Sequence, residues 1–307
     1  MVRHIRNTDP GKFHNIVGKT FQDQFLLVPS QAVNETIAGI IAKYQEECEI
    51  EIYSYCFLSN HYHIVARAPE ENLWKFAQNI NREIAKRINW LRERKGSLWH
   101  DRYKDLIIPE EQDILNAVLY VCTNPSHHGL VQEPKHWPGL NSYNQLLNEK
   151  PRKAKFTNYT DYGKAKEKTP NARLSDFQST HYITLTPLPQ FAKLTQVERI
   201  SKLASLMREK TESIKKQRLN AGKGFLGRKR VLNQNPNSFP KNVKRSTQPI
   251  CYSKNPEAIK AFREWFVPWM DKYREVSKKF RAGLSQVKFP AYSIKPPSHY
   301  EFAFAPT

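Results

Sequence analysis

The sequence predicts an α+β protein: a ferredoxin-like (RRM-like) four-stranded antiparallel sheet with helices on one face, then a basic, mainly helical C-terminal extension. Three observations lead there. Up to residue 124, segments of period two and period 3.6 follow each other as strand, helix, strand, strand, helix, strand, helix, the split arrangement plus one helix. Beyond Tyr143 the pattern weakens and the chain becomes Lys-rich. The charge divides at the same place. Residues 1–150 carry 17 Lys and Arg against 18 Asp and Glu, a net of −1, whereas the remainder carries 32 against 11, a net of +21. The expected division is therefore a folded α+β domain over 1–147 and a basic linker with a helical extension over 148–307.

The elements follow in order. Phe13 to Phe21 reads as a first strand. Ser30 is placed to cap a helix over 31–47, with Val33, Ile37, Ile40, Ile41 and Tyr44 on one stripe. Residues 50–57 alternate as a second strand, and 61–68 form a third after a tight turn at Ser59-Asn60. A long helix over 73–93 buries Phe76, Ile80, Ile84 and Ile88. Residues 99–108 form the fourth strand, and the acidic run Pro109-Glu110-Glu111-Gln112-Asp113 starts another helix. Proline disfavours helical geometry in the residue before it, so Pro125 is expected to end that helix at Asn124.

Within this frame the chemistry-bearing residues sit on two elements. A strand repeats every two residues, so His61 and His63 project from one face while Tyr62 and Ile64 point the other way. Two imidazoles side by side on a rigid strand can hold one divalent ion, although such a pair alone is commonly just a half-exposed polar face. Tyr120 and Asn124 are four apart and share a helix face.

Taken together, the order is His-hydrophobic-His on a strand, a basic helix, Ser97-Leu98-Trp99-His100-Asp101-Arg102-Tyr103, Tyr-x-x-x-Asn-Pro, then Gly-Leu-Val and Trp-Pro-Gly. This set resembles the single-tyrosine HUH transposases, specifically the REP-associated tyrosine transposase branch of the IS-two-hundred-like group, over roughly residues 12 to 145. The resemblance implies Tyr120 as nucleophile and His61, His63 and Asn124 as ligands of a divalent metal. It also implies single-stranded DNA near a short hairpin or repeat end as substrate, with the Tyr joined to the 5′ phosphate and a 3′ hydroxyl freed. Two imidazoles and an amide oxygen, with places left for water and phosphate, suit magnesium or manganese; zinc is the ordinary choice for two histidines alone. Tyr62 and Tyr103 are rival nucleophiles by proximity.

A phenol ionises near pH 10, so Tyr120 needs help to attack phosphorus. Phenolate also leaves readily, which allows breakage and rejoining without ATP; no Walker motif occurs anywhere. The basic half points to nucleic acid as partner, since no lipid-inserting stretch accompanies its charge. Arg102 and Lys104 are candidate DNA contacts beside the site, and Arg228, Lys229 and Arg230 form the densest candidate cluster in the extension. Gly222-Lys223-Gly224-Phe225-Leu226-Gly227 has the spacing of a dinucleotide loop but follows a basic helix, not a strand, so a phosphate-touching basic loop is expected instead. The aromatic residues of 256–283 fall at helical spacing and are read as core.

With no signal-peptide region, no membrane-spanning apolar run and four scattered cysteines, the expected location is cytoplasmic and nucleoid-associated. Monomer and homodimer are equally compatible with the sequence. The rival activities are a hydrolytic HUH nickase or replication initiator, and a domesticated DNA-binding protein that no longer transposes.

Overall fold

Two faces of one sheet, each covered by different helices, organise the computed structural model, which describes residues 5–240 and 249–296. Strand β1 (Phe13–Lys19) leads to helix α1 (Gln31–Glu47), β2 (Glu51–Phe57), β3 (His61–Arg67), α2 (Leu73–Leu91), β4 (Lys104–Ile108) and α3 (Glu111–His127). The strands pair antiparallel in the order β2-β3-β1-β4, as the split βαββαβ connectivity requires. Ser30 caps α1 as expected, its hydroxyl accepting the Val33 N–H at 3.2 Å.

The register of β1 on β3 sorts the side chains. Val17 lies opposite His63 and Lys19 opposite His61, while Gly18 lies opposite Tyr62 and Ile16 opposite Ile64. Tyr62 therefore points away from both histidines, into a core built with Ile37, Ile41, Phe76, Ile80 and Ile84 of α1 and α2. Its ring stacks on Phe57 at 4.9 Å and meets Trp99 edge-on at 5.5 Å, and its hydroxyl donates to Asn81 at 3.0 Å. That bulk between the histidines fits only because Gly18 stands across from it: a Cβ there would collide with the phenol ring.

The expectation of helices on one face alone is corrected. Helix α3 covers the second face, packing Ile114, Val118, Val121 and Cys122 on Cys56, Leu58 and Val65. Strands β2 and β3 are buried almost throughout, so their sequence is apolar on both sides and alternation does not announce a second layer. The fourth strand is also shorter than expected, starting at Lys104 instead of Trp99. Trp99 keeps only an isolated bridge to Thr20, and its indole donates to the Asn81 carbonyl at 2.9 Å.

Helix α3 does not stop before Pro125. It runs through the proline to His127, where only the last turn loses a donor. The His128 N–H closes the last turn on the Asn124 carbonyl at 3.0 Å, and from outside the helix the Asn141 amide donates to the Cys122 carbonyl at 3.0 Å.

The second half is not purely helical. After α4 (Tyr143–Asn148), the stretch 148–175, expected as a linker, contains β5 (Arg152–Thr157) and α5 (Tyr159–Lys168). Strand β5 pairs with β6 (Gln178–Ile183) in a hairpin that lies on α1, where Gly39 leaves room for the Lys155 carbonyl. Helix α6 (Gln196–Asn220) starts at a capping box of Thr195 and Glu198. It packs on α3 with Leu203 and Met207. The short α7 (Arg228–Leu232) and α8 (Pro256–Arg281) complete the described elements. Phe262, Phe266 and Met270 of α8 form a small core with Ile107 and Cys251, as the helical spacing of its aromatic residues implied. The Pro- and aromatic-rich tail from Pro290 is expected to wrap on the surface: carbonyls of Ala291 and Ile294 accept from Trp269 and Tyr273, and 297–307 lie outside the described residues.

Gly18→Ala is expected to lose about 1–3 kcal/mol, because the fully buried Tyr62 ring is stacked on two sides and has nowhere to go. Urea unfolding beside Gly163→Ala, in open space on α5, tests this; equal midpoints for the two variants would contradict the packing argument.

Candidate active site

Alternation on β3 delivers His61 and His63 to the face that α3 covers. Both rings are nearly buried, at 9% and 8% exposure, and their centroids are 5.3 Å apart. Each has one nitrogen occupied. His61 Nδ1 meets Asn60 Oδ1 at 2.7 Å, and His63 Nδ1 meets Asn15 Oδ1 at 3.3 Å. An amide oxygen only accepts, so both Nδ1 atoms carry the proton and both Nε2 atoms keep a lone pair. This is the arrangement in which an outer contact orients a metal-ligating imidazole.

Helix α3 brings Tyr120 edge-on to His63, with ring centroids 5.6 Å apart. One turn on, Asn124 is fully buried, and neither its Oδ1 nor its Nδ2 makes a hydrogen bond. The amide is close enough to Tyr120 and His61 to bias their protonation, although no contact meets hydrogen-bond geometry. Leaving a buried amide unpaired costs about 1–3 kcal/mol, which makes Asn124 the conspicuous orphan of this face.

Burial dominates the electrostatics. His61 is held well below the ordinary imidazole range by loss of water, then by the neighbouring His63, His128 and Lys19. His63 is pushed down to about 3 for the same first reason. Both rings are neutral near pH 7, as ligands must be. Burial raises the Tyr120 phenol, with Asn124 partly offsetting it, so the hydroxyl is protonated at rest.

Tyr62 and Tyr103 are not brought to this face: Tyr62 is fully buried on the other, and the Tyr103 hydroxyl is buried beneath Arg6, whose guanidinium lies 3.8 Å from the ring. Lys104 shares the sheet face of His63, two strands away through Val17, and Arg102 precedes it; both are exposed at the edge and outside the cluster. Arg228, Lys229 and Arg230 are exposed on α7. They follow a loop whose Leu226 and Gly227 N–H groups bond to the Gly129 and Leu130 carbonyls, just past the end of α3.

Sequence reading missed several neighbours. His128 lies 5.1 Å from the His61 ring, and His127 lies 5.7 Å from Tyr120. Their signal was present, since they stand three and four residues beyond Asn124 on a helix now seen to continue. Lys19, opposite His61, was legible from strand alternation once the register was known. Tyr252, 6.2 Å from Tyr120, had no local signal at all.

Residues 20–122 match the family model described as Transposase IS200 like. The resemblance drawn from the ordered motifs is borne out over that segment, which contains His61, His63 and Tyr120 but stops before Asn124. A curated relative from Haemophilus influenzae, named as a REP-associated tyrosine transposase, is 26% identical over 109 residues. The match covers 31% of this chain and 62% of the relative. A solved structure of a REP-associated tyrosine transposase bound to a REP hairpin aligns with a TM-score of 0.40 and 18% identity, over 48% of this chain and 84% of that one. Among the described residues no group of three or more His, Cys, Asp or Glu side chains is placed to hold a metal ion, and no helix is long and apolar enough to cross a membrane.

The buried neutral histidines set an acid sensitivity. In the unfolded chain each takes up a proton near pH 6.5, whereas folded His63 resists until about 3. Stability should therefore be full well above about pH 6.5 and fall on acidification through it, approaching about 1.4 kcal/mol per pH unit per histidine. His63→Gln should flatten that dependence in urea titrations between pH 7 and pH 5. An unchanged slope would place the acid sensitivity elsewhere.

Proposed function

We propose that the protein cleaves and rejoins single-stranded DNA, at a hairpin-flanked or repeat end, through a covalent link between Tyr120 and the 5′ phosphate. The observation that carries this reading is the packing of Tyr120 against His63, with a neutral His61/His63 pair on one side and the orphaned Asn124 amide beneath.

The donor set fits a divalent cation. Two Nε2 lone pairs are free because Nδ1 is engaged, and the buried Asn124 oxygen lacks a partner that a cation would supply. His61, His63 and Asn124 would hold magnesium or manganese, whose charge when bound would polarise the scissile phosphate. Three protein ligands of neutral type leave the remaining positions for water and phosphate oxygens. This explains why no cluster of three acidic or histidine side chains is needed.

The chain's own residues do the rest. Tyr120 Oη forms a bond to phosphorus as the bond to the 3′ oxygen breaks; the phenol gives up its proton and the departing 3′ oxygen gains one. Reversal needs only a 3′ hydroxyl attacking the phosphotyrosine, with the phenol recovered. Helix α3 holds Tyr120 and Asn124 on one face, so nucleophile and ligand move as a unit. Lys19, beside His61, adds positive charge where a strand would pass.

Incubating the protein with hairpin-flanked single-stranded DNA and manganese should yield an adduct that survives denaturing electrophoresis. Tyr120→Phe should abolish it, at least a thousandfold, while affinity for the same DNA changes less than about twofold. Adduct from the Phe variant would remove Tyr120 as nucleophile. Nicked strands without rejoined product would indicate a nicking nuclease, and a gel shift alone would indicate a DNA-binding protein. His61→Ala/His63→Ala should also lose cleavage and, in calorimetry, manganese affinity; undiminished affinity would take both histidines out of the metal site.

A further inference from the structure

The second half of the chain reaches Tyr120 from two directions. The Tyr252 N–H donates to the Ile107 carbonyl at 2.8 Å, which pins the segment before α8 to the edge of β4 and sets the Tyr252 ring against Tyr120. Lys254 follows two residues on and is exposed. From the other side α6 lies along α3, burying Met207 fully; Lys210 comes almost one turn later and is half-buried. Farther along α6, Arg218 donates to the His127 carbonyl at 3.3 Å and the Gly224 carbonyl at 2.6 Å. Its guanidinium occupies the space over Gly129 that a Cβ would need. These contacts place cations around His127, whose ring is the one beside Tyr120 away from the His61/His63 pair.

The positive groups act on one another. His127 is held below the ordinary imidazole range by loss of water, then by the charges of Lys210, Arg218 and Lys254. Lys210 is lowered by loss of water and then by Lys254. Neither Lys210 nor Lys254 has an ion pair or hydrogen bond among the described residues. The contrast with the same helix is informative: Lys215, one turn beyond, pairs with both Glu212 and Glu133. Acidic partners are available on α6, yet the two lysines that act on His127 are left without them. Clustered cations with no counter-charge raise the energy of the free protein and favour an anion.

We propose that Lys210 and Lys254, with His127 between them and Tyr120, form a phosphate subsite for the backbone phosphate of a single strand next to the one that faces Tyr120. This rests on the reading that Tyr120 acts on single-stranded DNA. It assigns the basic half a specific place in the site, beyond a general attraction for polyanions. Lysines are compact point charges suited to a phosphate that changes position as a strand is exchanged. Arg218 is a positioning residue here, since its two terminal nitrogens each hold a carbonyl of the chain and its buried Nε lies away from any partner.

The test uses the full chain carrying Tyr120→Phe, so that binding is read without cleavage, and oligothymidylate as the probe. Lys210→Gln/Lys254→Gln is compared with Lys164→Gln/Lys166→Gln, which removes the same charge from exposed positions on α5. The site pair should bind about tenfold more weakly, the loss of roughly one charged contact. Its plot of log affinity against log salt should flatten by about 0.7, one phosphate on a single strand. The α5 pair should leave the slope unchanged. Because neither site lysine holds a partner and each repels the other, the site pair should melt at or slightly above the parent temperature and the α5 pair close to it, which separates lost binding from lost folding. Lysine acetylation read by mass spectrometry gives a second measure: the oligonucleotide should shield Lys210 and Lys254 more than Lys164 and Lys166. Equal slope changes for the two pairs, no change for either, or equal shielding would overturn the subsite. A protein that shows the slope change but forms no adduct with intact Tyr120 would keep the subsite and lose the cleavage reading. One that forms adduct normally with no slope change would do the reverse.

Discussion

The seating of α3 on the second face of the sheet is the contact on which the candidate site depends. Strand β3 fixes only where two imidazoles point. Without α3 they would face solvent, keep ordinary basicity and have no tyrosine beside them. Burial of Ile114, Val118, Val121 and Cys122 against Cys56, Leu58 and Val65 drives that seating, at about 1.5–3 kcal/mol for each large apolar side chain. It also carries Asn124 into a dry position where its amide finds no partner. The apolar packing and the polar defect are thus one event: the helix cannot bury its hydrophobic stripe without burying that amide.

The same packing explains the direction of the electrostatics. Loss of water is the first cause of the shift at His61, His63 and Tyr120, and it acts oppositely on the two residue types. It keeps the imidazoles neutral and their Nε2 atoms available. It also keeps the phenol protonated, so the resting site holds the proposed ligands in the useful state and the proposed nucleophile in the idle one. Asn15 and Asn60 complete this by fixing which ring nitrogen carries the proton. On the opposite face Tyr62 contributes by packing, held between the stacked Phe57 and the edge-on Trp99 and accommodated by Gly18, which fixes the strand that holds its two neighbours.

The second half is tied into this arrangement at several points. The β5–β6 hairpin lies on α1, α6 packs on α3, and Ala154, Phe156 and Ile183 belong to the same core as Tyr62. Arg218 of α6 also holds the end of α3, donating to the His127 carbonyl. Charge that looks uniform along residues 151–307 is therefore not uniform in space. Among the described residues most of it is exposed, some is paired along helices, and Lys210 and Lys254 stand without an ion pair where they act on His127.

Periodicity and residue type alone determined a good deal of this protein. The alternation around His61 and His63, the helical spacing of Tyr120 and Asn124, the Ser30 cap and the order of strands and helices are local properties, written within a few residues of where they act. The pairing of the two histidines on one face needed nothing but the two-residue repeat of a strand. What only the tertiary structure decided lies across distance. The second helical layer was invisible because strands buried on both faces lose their alternation. The passage of α3 through Pro125 brings His127 and His128 into play, and the donors that hold its end, from Asn141 and Arg218, come from distant parts of the chain. Lys19 needed the β1–β3 register, and Tyr252, Lys210 and Lys254 needed the fold of a half whose linker-like sequence conceals a strand and a helix. Local pattern records which face a side chain takes; which distant surface meets that face is set by how the apolar areas of the whole chain find cover together.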